Sequence, residues 1–366
     1  MAGAKVKLSV RNAAKIYGSV TALADATLDL REGEFLTLLG PSGSGKTTLL
    51  MIVAGLIQPS SGEVWIDGKI ATYAPPHKRD IGIVFQNYAL FPHLTVYENI
   101  AFPLRMRRMP EARIAQEVAR VLDVVQLAHT AERFPRELSG GQQQRIALAR
   151  CTVYHPSIIL MDEPLGALDR KLRDHMQLEI KHLHTKLGIT VLYVTHDQDE
   201  AMTMSDRICL MNNGRIEQIG APQELYFNPA SIFAADFLGE SNLLPGTVAA
   251  IGDPLRVDGP GGLKIRARSR GGLRPDEPVK LMVRPESLRL LGPGEDADNV
   301  AEGVLREVVF VGGVQRYYVA LADGLTLAMK RLTLGADTAV GPGQTVRVGW
   351  SAAHTVALPD TRERGS

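Results

Sequence analysis

Apolar and polar positions along this chain follow two periods, and their mixture changes near residue 239. From about Lys7 to Gly239, short apolar runs rich in β-branched residues alternate with stretches where apolar residues return every three to four positions. The runs predict strands at Phe35–Leu39, Ile81–Phe85, Ile158–Met161, Thr190–Thr195 and Arg207–Met211. The longer period predicts helices at Lys46–Ala54, Glu111–Val125, Gln142–Val153, Arg170–Leu187 and Asp197–Met204. Strands alternating with helices imply an α/β domain over residues 1–239. After Gly239 the runs shorten and alternate, as in Val304–Val311, Gln315–Ala320 and Thr345–Trp350. Turn signals separate them at Gly259-Pro260-Gly261-Gly262, Gly292-Pro293-Gly294 and Gly341-Pro342-Gly343. This spacing predicts a small all-β barrel over residues 240–366.

Composition narrows the class without naming it. A chain of 366 residues with 45% apolar content has room for two ordinary cores. A formal net charge of +1 argues against a polyanion or membrane-surface partner, which a large field would have to steer. Two cysteines, Cys151 and Cys209, make no disulfide framework, so a reducing cytosol is expected. The opening residues carry no apolar signal-peptide core. No apolar run approaches the roughly 18–20 residues that span a bilayer, so any membrane path must come from other chains.

The chemistry begins at Gly40-Pro41-Ser42-Gly43-Ser44-Gly45-Lys46-Thr47, between a predicted strand and a predicted helix. That is the phosphate-loop pattern in the context it requires. Its backbone N–H groups would curl around phosphate oxygens at a helix N-terminus. Lys46 would reach the β- and γ-phosphates and the Thr47 hydroxyl would hold Mg²⁺. The expected nucleotide contacts are Gly40, Ser42, Gly43, Ser44, Gly45, Lys46, Thr47 and Thr48. The apolar strand at Ile158–Met161 ends in Asp162-Glu163. Asp162 would hold the metal, and Glu163 would polarise the attacking water. His196, closing the next strand, could donate to the γ-phosphate as charge develops, although a lone histidine there is also an ordinary surface residue. Gln86 follows the strand Ile81–Phe85, where its amide could touch metal or water; by composition it is only a polar residue at a strand end. Tyr17 could stack on adenine, and a half-buried core tyrosine fits that position equally well.

Leu138-Ser139-Gly140-Gly141-Gln142 precedes the acidic strand end. Together with the phosphate loop it resembles the signature of the ABC (ATP-binding cassette) transporter ATPases, and the resemblance covers essentially the whole chain. A generic phosphate-loop enzyme such as a helicase leaves this segment unaccounted for. The resemblance implies roles that spacing does not show: Tyr17 as the adenine-stacking loop, Gln86 as the metal- and water-contacting loop, Asp169 in the segment after Glu163, and His196 as the switch histidine. Gly166 departs from the family, where many relatives have serine. The resemblance also implies head-to-tail homodimers, with Ser139, Gly140, Gly141 and Gln142 of one chain closing on nucleotide bound to the other.

A helical subdomain at about 87–155 is implied, and its segment Asn87–Arg108, read as helical, would grip a membrane subunit. The tail, through Val283-Arg284-Pro285-Glu286, is similar to the TOBE-like barrel of sugar and polyamine importer ATPases. It would stabilise the dimer and take regulatory input. The segments 85–93, 239–242 and 316–319 are closest to spermidine/putrescine-type importers. The implied assembly has two integral membrane permease subunits and, indirectly, a solute-binding protein. Its ATPase lies peripherally on the cytoplasmic face of the inner membrane. A sugar or other small-solute importer shares most of the pattern. A soluble non-transport ABC ATPase usually carries two cassettes or a coiled-coil insertion. The alternating stripe Lys264, Arg266, Arg268, Arg270 carries no interleaved aromatics for base stacking. It is read as the solvated edge of a strand, so no nucleic-acid partner is expected.

Overall fold

The computed structural model describes residues 5–166, 168–333 and 340–360, which divide into two compact units, Met1–Pro222 and Gln223–Ser366.

The first unit opens with an antiparallel sheet in the order β2-β1-β4-β5, made of β1 (Val6–Tyr17), β2 (Val20–Arg31), β4 (Ser61–Ile66) and β5 (Lys69–Ile70). None of these four strands is among those expected from the apolar runs. Polar residues Arg11, Asn12 and Lys15 and several register shifts between β1 and β2 break the two-residue period. A six-stranded sheet follows in the order β10-β9-β3-β8-β7-β6. It comprises β3 (Phe35–Leu39), β6 (Ile81–Val84), β7 (Ile158–Asp162), β8 (Val191–Thr195), β9 (Arg207–Asn212) and β10 (Arg215–Gly220). Strands β6, β7, β8, β3 and β9 run parallel, and β10 closes the edge antiparallel. All residues of β3 and β8 are buried, which is why they read as unbroken apolar runs rather than alternating ones.

The helices of this unit are α1 (Lys46–Ala54), α2 (Val96–Met106), α3 (Glu111–Val124), α4 (Gly140–Thr152), α5 (Arg170–Leu187) and α6 (Gln198–Met204). Three sequence expectations are corrected. The segment Asn87–Arg108 is helical only over α2; before it, Tyr88 and Ala89 adopt left-handed φ of 60° and 45°. Thr95 then caps the helix in a reciprocal box with Glu98. Helix α4 starts two residues earlier than Gln142, because Ser139 supplies the cap and Gln142 returns a bond to its N–H. Asp197 lies outside α6 as its cap, accepting from the N–H groups of Asp199 and Glu200.

The second unit carries α7 (Pro222–Phe227), whose first residue lies just before it, and α8 (Ile232–Phe237). A closed barrel in the order β11-β12-β13-β20-β14 follows, built from β11 (Asn242–Ala250), β12 (Leu255–Asp258), β13 (Lys264–Ser269), β14 (Pro278–Val283) and β20 (Thr355–Pro359). Rather than one barrel, the β region also forms a five-stranded sheet, β15-β19-β16-β17-β18. Its strands are β15 (Arg289–Leu290), β16 (Asn299–Val311), β17 (Val314–Ala320), β18 (Thr326–Leu332) and β19 (Thr345–Trp350). Residues from both contribute to one core that includes Leu244, Val257, Leu281, Leu305, Tyr317 and Trp350.

The basic stripe does not lie on an edge. Strand β13 pairs with β12 on one side and β20 on the other. Ile265 and Ala267 fill the barrel while Lys264 and Arg266 face out. Arg268 and Arg270 donate to the carbonyls of Phe227 and Asn228.

Candidate active site

Four of the expected residues converge because the parallel strands end in register. Leu39 pairs with Thr195, and Asp162 with Val194. The phosphate loop, the acidic pair and the histidine turn therefore emerge side by side at the carboxyl ends, where open α/β sheets bind ligands. Gly40 leaves β3 so close to the Met211 carbonyl that a Cβ there would collide with it. Gly45 caps α1 at φ 96°, and a Cβ would meet the Ala22 carbonyl oxygen at 2.7 Å. These glycines let the loop curl with its N–H groups outward. Lys46 is 5% exposed. Its ammonium donates to the Gly40 and Pro41 carbonyls at 2.8 and 2.9 Å. Burial lowers its pKa, and the nearby Glu163 and Asp162 oppose that shift.

At the other end of α1, Arg79 donates to the Ile52 and Val53 carbonyls, both at 2.8 Å. The positive end of α1 thus opens into the glycine-rich loop while a buried guanidinium closes the negative end. No local pattern marked Arg79; its partners come together only in the fold.

The Thr47 hydroxyl lies 3.5 Å from Asp162 Oδ1. Burial, and next the neighbouring Glu163, raise the Asp162 pKa. A hydroxyl and a carboxylate beside a phosphate loop are the oxygen ligands that Mg²⁺ takes, so these residues fit the ion. Glu163 adopts a left-handed φ of 45° and donates its N–H to the Val194 carbonyl. Its Oε2 lies 3.1 Å from His196 Nδ1. Gln86 sits exposed in the turn after β6. Its amide nitrogen is 3.5 Å from where a Gly166 Cβ would stand, an ordinary van der Waals contact. Asp169 caps α5 by accepting from the Leu172 N–H. Tyr17 is half exposed at the end of β1, with the Lys15 ammonium 5.0 Å from its ring centre. Ser42, Gly43, Ser44 and Thr48 lie within or just after the phosphate loop.

The signature segment opens α4 as a closed cap, with Gly140 against Leu168 and Gly141 against Leu172. Ser139 and Gln142 satisfy each other: the Ser139 hydroxyl accepts from the Gln142 N–H, and the Gln142 side-chain Oε1 accepts from the Ser139 N–H.

The turn that carries His196 rests on groups the sequence reading passed over. Glu200, 2% exposed, accepts from the hydroxyls of Tyr193 and Thr195 at 2.8 and 2.7 Å. Burial raises its pKa. Arg173 donates to Asp197 Oδ2 and to the Leu168 carbonyl at 3.2 and 3.0 Å. It therefore ties the segment after Glu163 to the histidine turn. A cleft of about 870 Å³ in the C-terminal unit, lined by Tyr226, Glu286, Arg289, Glu295 and Lys330 among others, contains none of these residues.

Comparison with known proteins places the geometry in a lineage. Residues 23–166 match the family described as ABC transporter, and residues 281–358 match the TOBE domain. The spermidine/putrescine import ATP-binding protein PotA of Rubrobacter xylanophilus is 47% identical over 363 residues, covering 98% of this chain and 96% of its own. The protein of the same name from Thermobifida fusca is 46% identical, covering 96% and 93%. A dimeric ATP-binding cassette in a post-hydrolysis state with ADP and Pi aligns at TM-score 0.52 and 36% identity, over 59% of this chain and 98% of that one. The cbiO1 protein of Clostridium perfringens, part of an ABC transporter complex, aligns at TM-score 0.57 and 29% identity, over 64% and 93%.

Proposed function

This chain belongs to the ABC transporter family as an ATP-binding subunit, and we propose that it hydrolyses ATP to drive import of a polyamine of the spermidine/putrescine class. The observation that carries the reading is the convergence of Lys46, Asp162, Glu163 and His196 at the carboxyl ends of aligned parallel strands. Full-length likeness to relatives named for spermidine/putrescine import supports the cargo.

In this reading the loop amides and Lys46 bind the phosphates, and Tyr17 stacks on the base. Thr47, Asp162 and the turn at Gln86 would hold Mg²⁺, which would supply charge neutralisation for the phosphoryl group when bound. Glu163 accepts the proton of the attacking water. His196 orients Glu163 and donates toward the phosphoryl oxygens. As in the family this chain resembles, the N-terminus of α4 would serve the nucleotide of a second copy, a reading supported by the likeness to a dimeric ATP-binding cassette. The working unit is then a head-to-tail dimer. Among the described residues no helix is long and apolar enough to cross a membrane, so two permease subunits supply the path and a solute-binding protein delivers the cargo. The subunit works peripherally at the cytoplasmic face of the inner membrane.

Replacing Tyr17 by Ala is expected to weaken ATP binding by roughly 5- to 150-fold, the worth of one stacked base, with Phe restoring it. Equilibrium binding of a fluorescent ATP analogue reads this, and unchanged affinity in the Ala variant would remove Tyr17 from the base site.

The cargo is tested by reconstituting the importer and measuring ATP hydrolysis with binding protein loaded with spermidine, putrescine or maltose. Polyamine stimulation is the expected result. Stimulation by maltose alone keeps the importer and discards the polyamine.

A further inference from the structure

Ser139 caps helix α4 at the end that would meet a second copy, and the helix's last turn carries Arg150. That guanidinium reaches out of the helix to two main-chain carbonyls, donating to Ala89 at 2.7 Å and to Tyr88 at 2.9 Å. These are the two left-handed residues after Gln86. The guanidinium also lies 5.6 Å from the ring centre of Phe91. The rest of the loop is held separately. Buried Asn99 accepts from the Phe91 N–H at 2.8 Å and donates to the carbonyls of Phe91, Leu94 and Thr95 at 3.1, 3.0 and 2.9 Å. Asn99 therefore pins the loop to α2, and Arg150 pins it to α4. Ser139 and Arg150 are eleven residues apart on one continuous helix, about 16 Å along its axis. A displacement at one end of so short a rod is delivered at the other.

We propose that Arg150 is the positioning residue that transmits closure of the signature segment on a second copy's nucleotide to the 86–92 loop. This rests on the importer reading above, in which that loop faces the membrane subunit. The guanidinium suits the role because its planar fork serves two carbonyls at once. Two left-handed non-glycine residues in succession persist only where surrounding structure holds them, and here the holding groups belong to α4. Releasing them frees the loop from the helix while Ser139, Lys46 and Glu163 stay in place. Coupling of this kind runs through packed and hydrogen-bonded elements with two arrangements.

The test uses the full-length chain as Arg150→Lys and Arg150→Met, alone and in the reconstituted importer. Lys keeps the charge but can reach one carbonyl at a time, so it guards against simple unfolding in Met. Hydrolysis by the isolated subunit is expected to stay within about twofold of wild type. Stimulation by loaded binding protein is expected to fall roughly tenfold, a typical coupling factor, with more ATP spent per cargo moved and Lys intermediate. Equal loss of isolated and stimulated hydrolysis, or an unchanged ATP-to-cargo ratio in a folded variant, overturns the proposal.

Hydrogen exchange keeps this separate from the importer reading. In a Glu163→Gln background, ATP is expected to slow exchange of the 87–92 amides, and adding Arg150→Lys is expected to abolish that slowing. This readout needs no cargo. If wild type answers to no cargo, the importer reading fails while the Arg150 link stands or falls on exchange; identical protection with and without Arg150 sinks it.

Discussion

Glu163→Gln is expected to lower ATP turnover by roughly 100- to 10,000-fold, the contribution of a positioned general base, while ATP still binds. The amide keeps the size of the carboxylate and loses its capacity to take a proton from water. Its direction is set by the backbone, since Glu163 is held at φ 45° with its N–H on the Val194 carbonyl. Lys46 and the loop amides are untouched, so ATP should stay bound and the dimer should accumulate. Light scattering with ATP and Mg²⁺, run beside a phosphate-release assay, reads both effects. Wild-type turnover in the variant would take Glu163 out of the reaction.

The second large effect is on stability. Arg284 is 2% exposed, and its guanidinium serves five acceptors. It donates to the carbonyls of Tyr226 at 2.9 Å, Ala235 at 2.9 Å, Gly239 at 3.0 Å and Glu240 at 3.2 Å, and to the Ser241 hydroxyl at 2.7 Å. The Tyr226 ring stacks 4.1 Å from it, and the Tyr226 hydroxyl donates to Glu286. Arg284 thus gathers the chain ends around α7 and α8 onto the start of the barrel. Arg284→Met removes the donor these acceptors share, at about 1–3 kcal/mol for each one left unpaired, while the Ala235 carbonyl keeps the Ser241 hydroxyl. Allowing for relaxation, a loss of about 3–5 kcal/mol is expected for the C-terminal unit. Lys should recover only part, because a point charge cannot serve a fork of acceptors. Urea unfolding followed by Trp350, which is buried in that unit's core, with Trp65 replaced by Phe, isolates the transition. A midpoint within error of wild type would show that water replaces the guanidinium at little cost.

Much of this protein was legible without a structure, and the reason is local. A phosphate loop requires glycines, a lysine and a hydroxyl at fixed offsets between a strand and a helix. Residues Gly40 to Thr47 therefore declare themselves, and α1 and β3 begin and end where their periods say. The acidic pair after Met161 and the histidine after Thr195 are readable because a strand buried on both faces is an unbroken apolar run, and its polar end is conspicuous. Reading failed where order is held from a distance. The segment 87–95 has the apolar content of a helix, yet Arg150 and Asn99 draw its carbonyls into a left-handed turn. The stripe at Lys264–Arg270 alternates as an edge strand would, but β20, from the far end of the chain, closes the barrel against it. Nothing local sets Arg79 or Glu200 apart, and the five acceptors of Arg284 come together only in the fold.

The sequence by itself determined where the proposed chemistry sits, because a phosphate loop and an acidic strand end are residue types at short, fixed spacings along the backbone. Only the tertiary structure decided which charges are buried and what they hold. A buried guanidinium or carboxylate is tolerated where the fold brings several acceptors or donors to it, and those partners are separated by tens of residues in the chain.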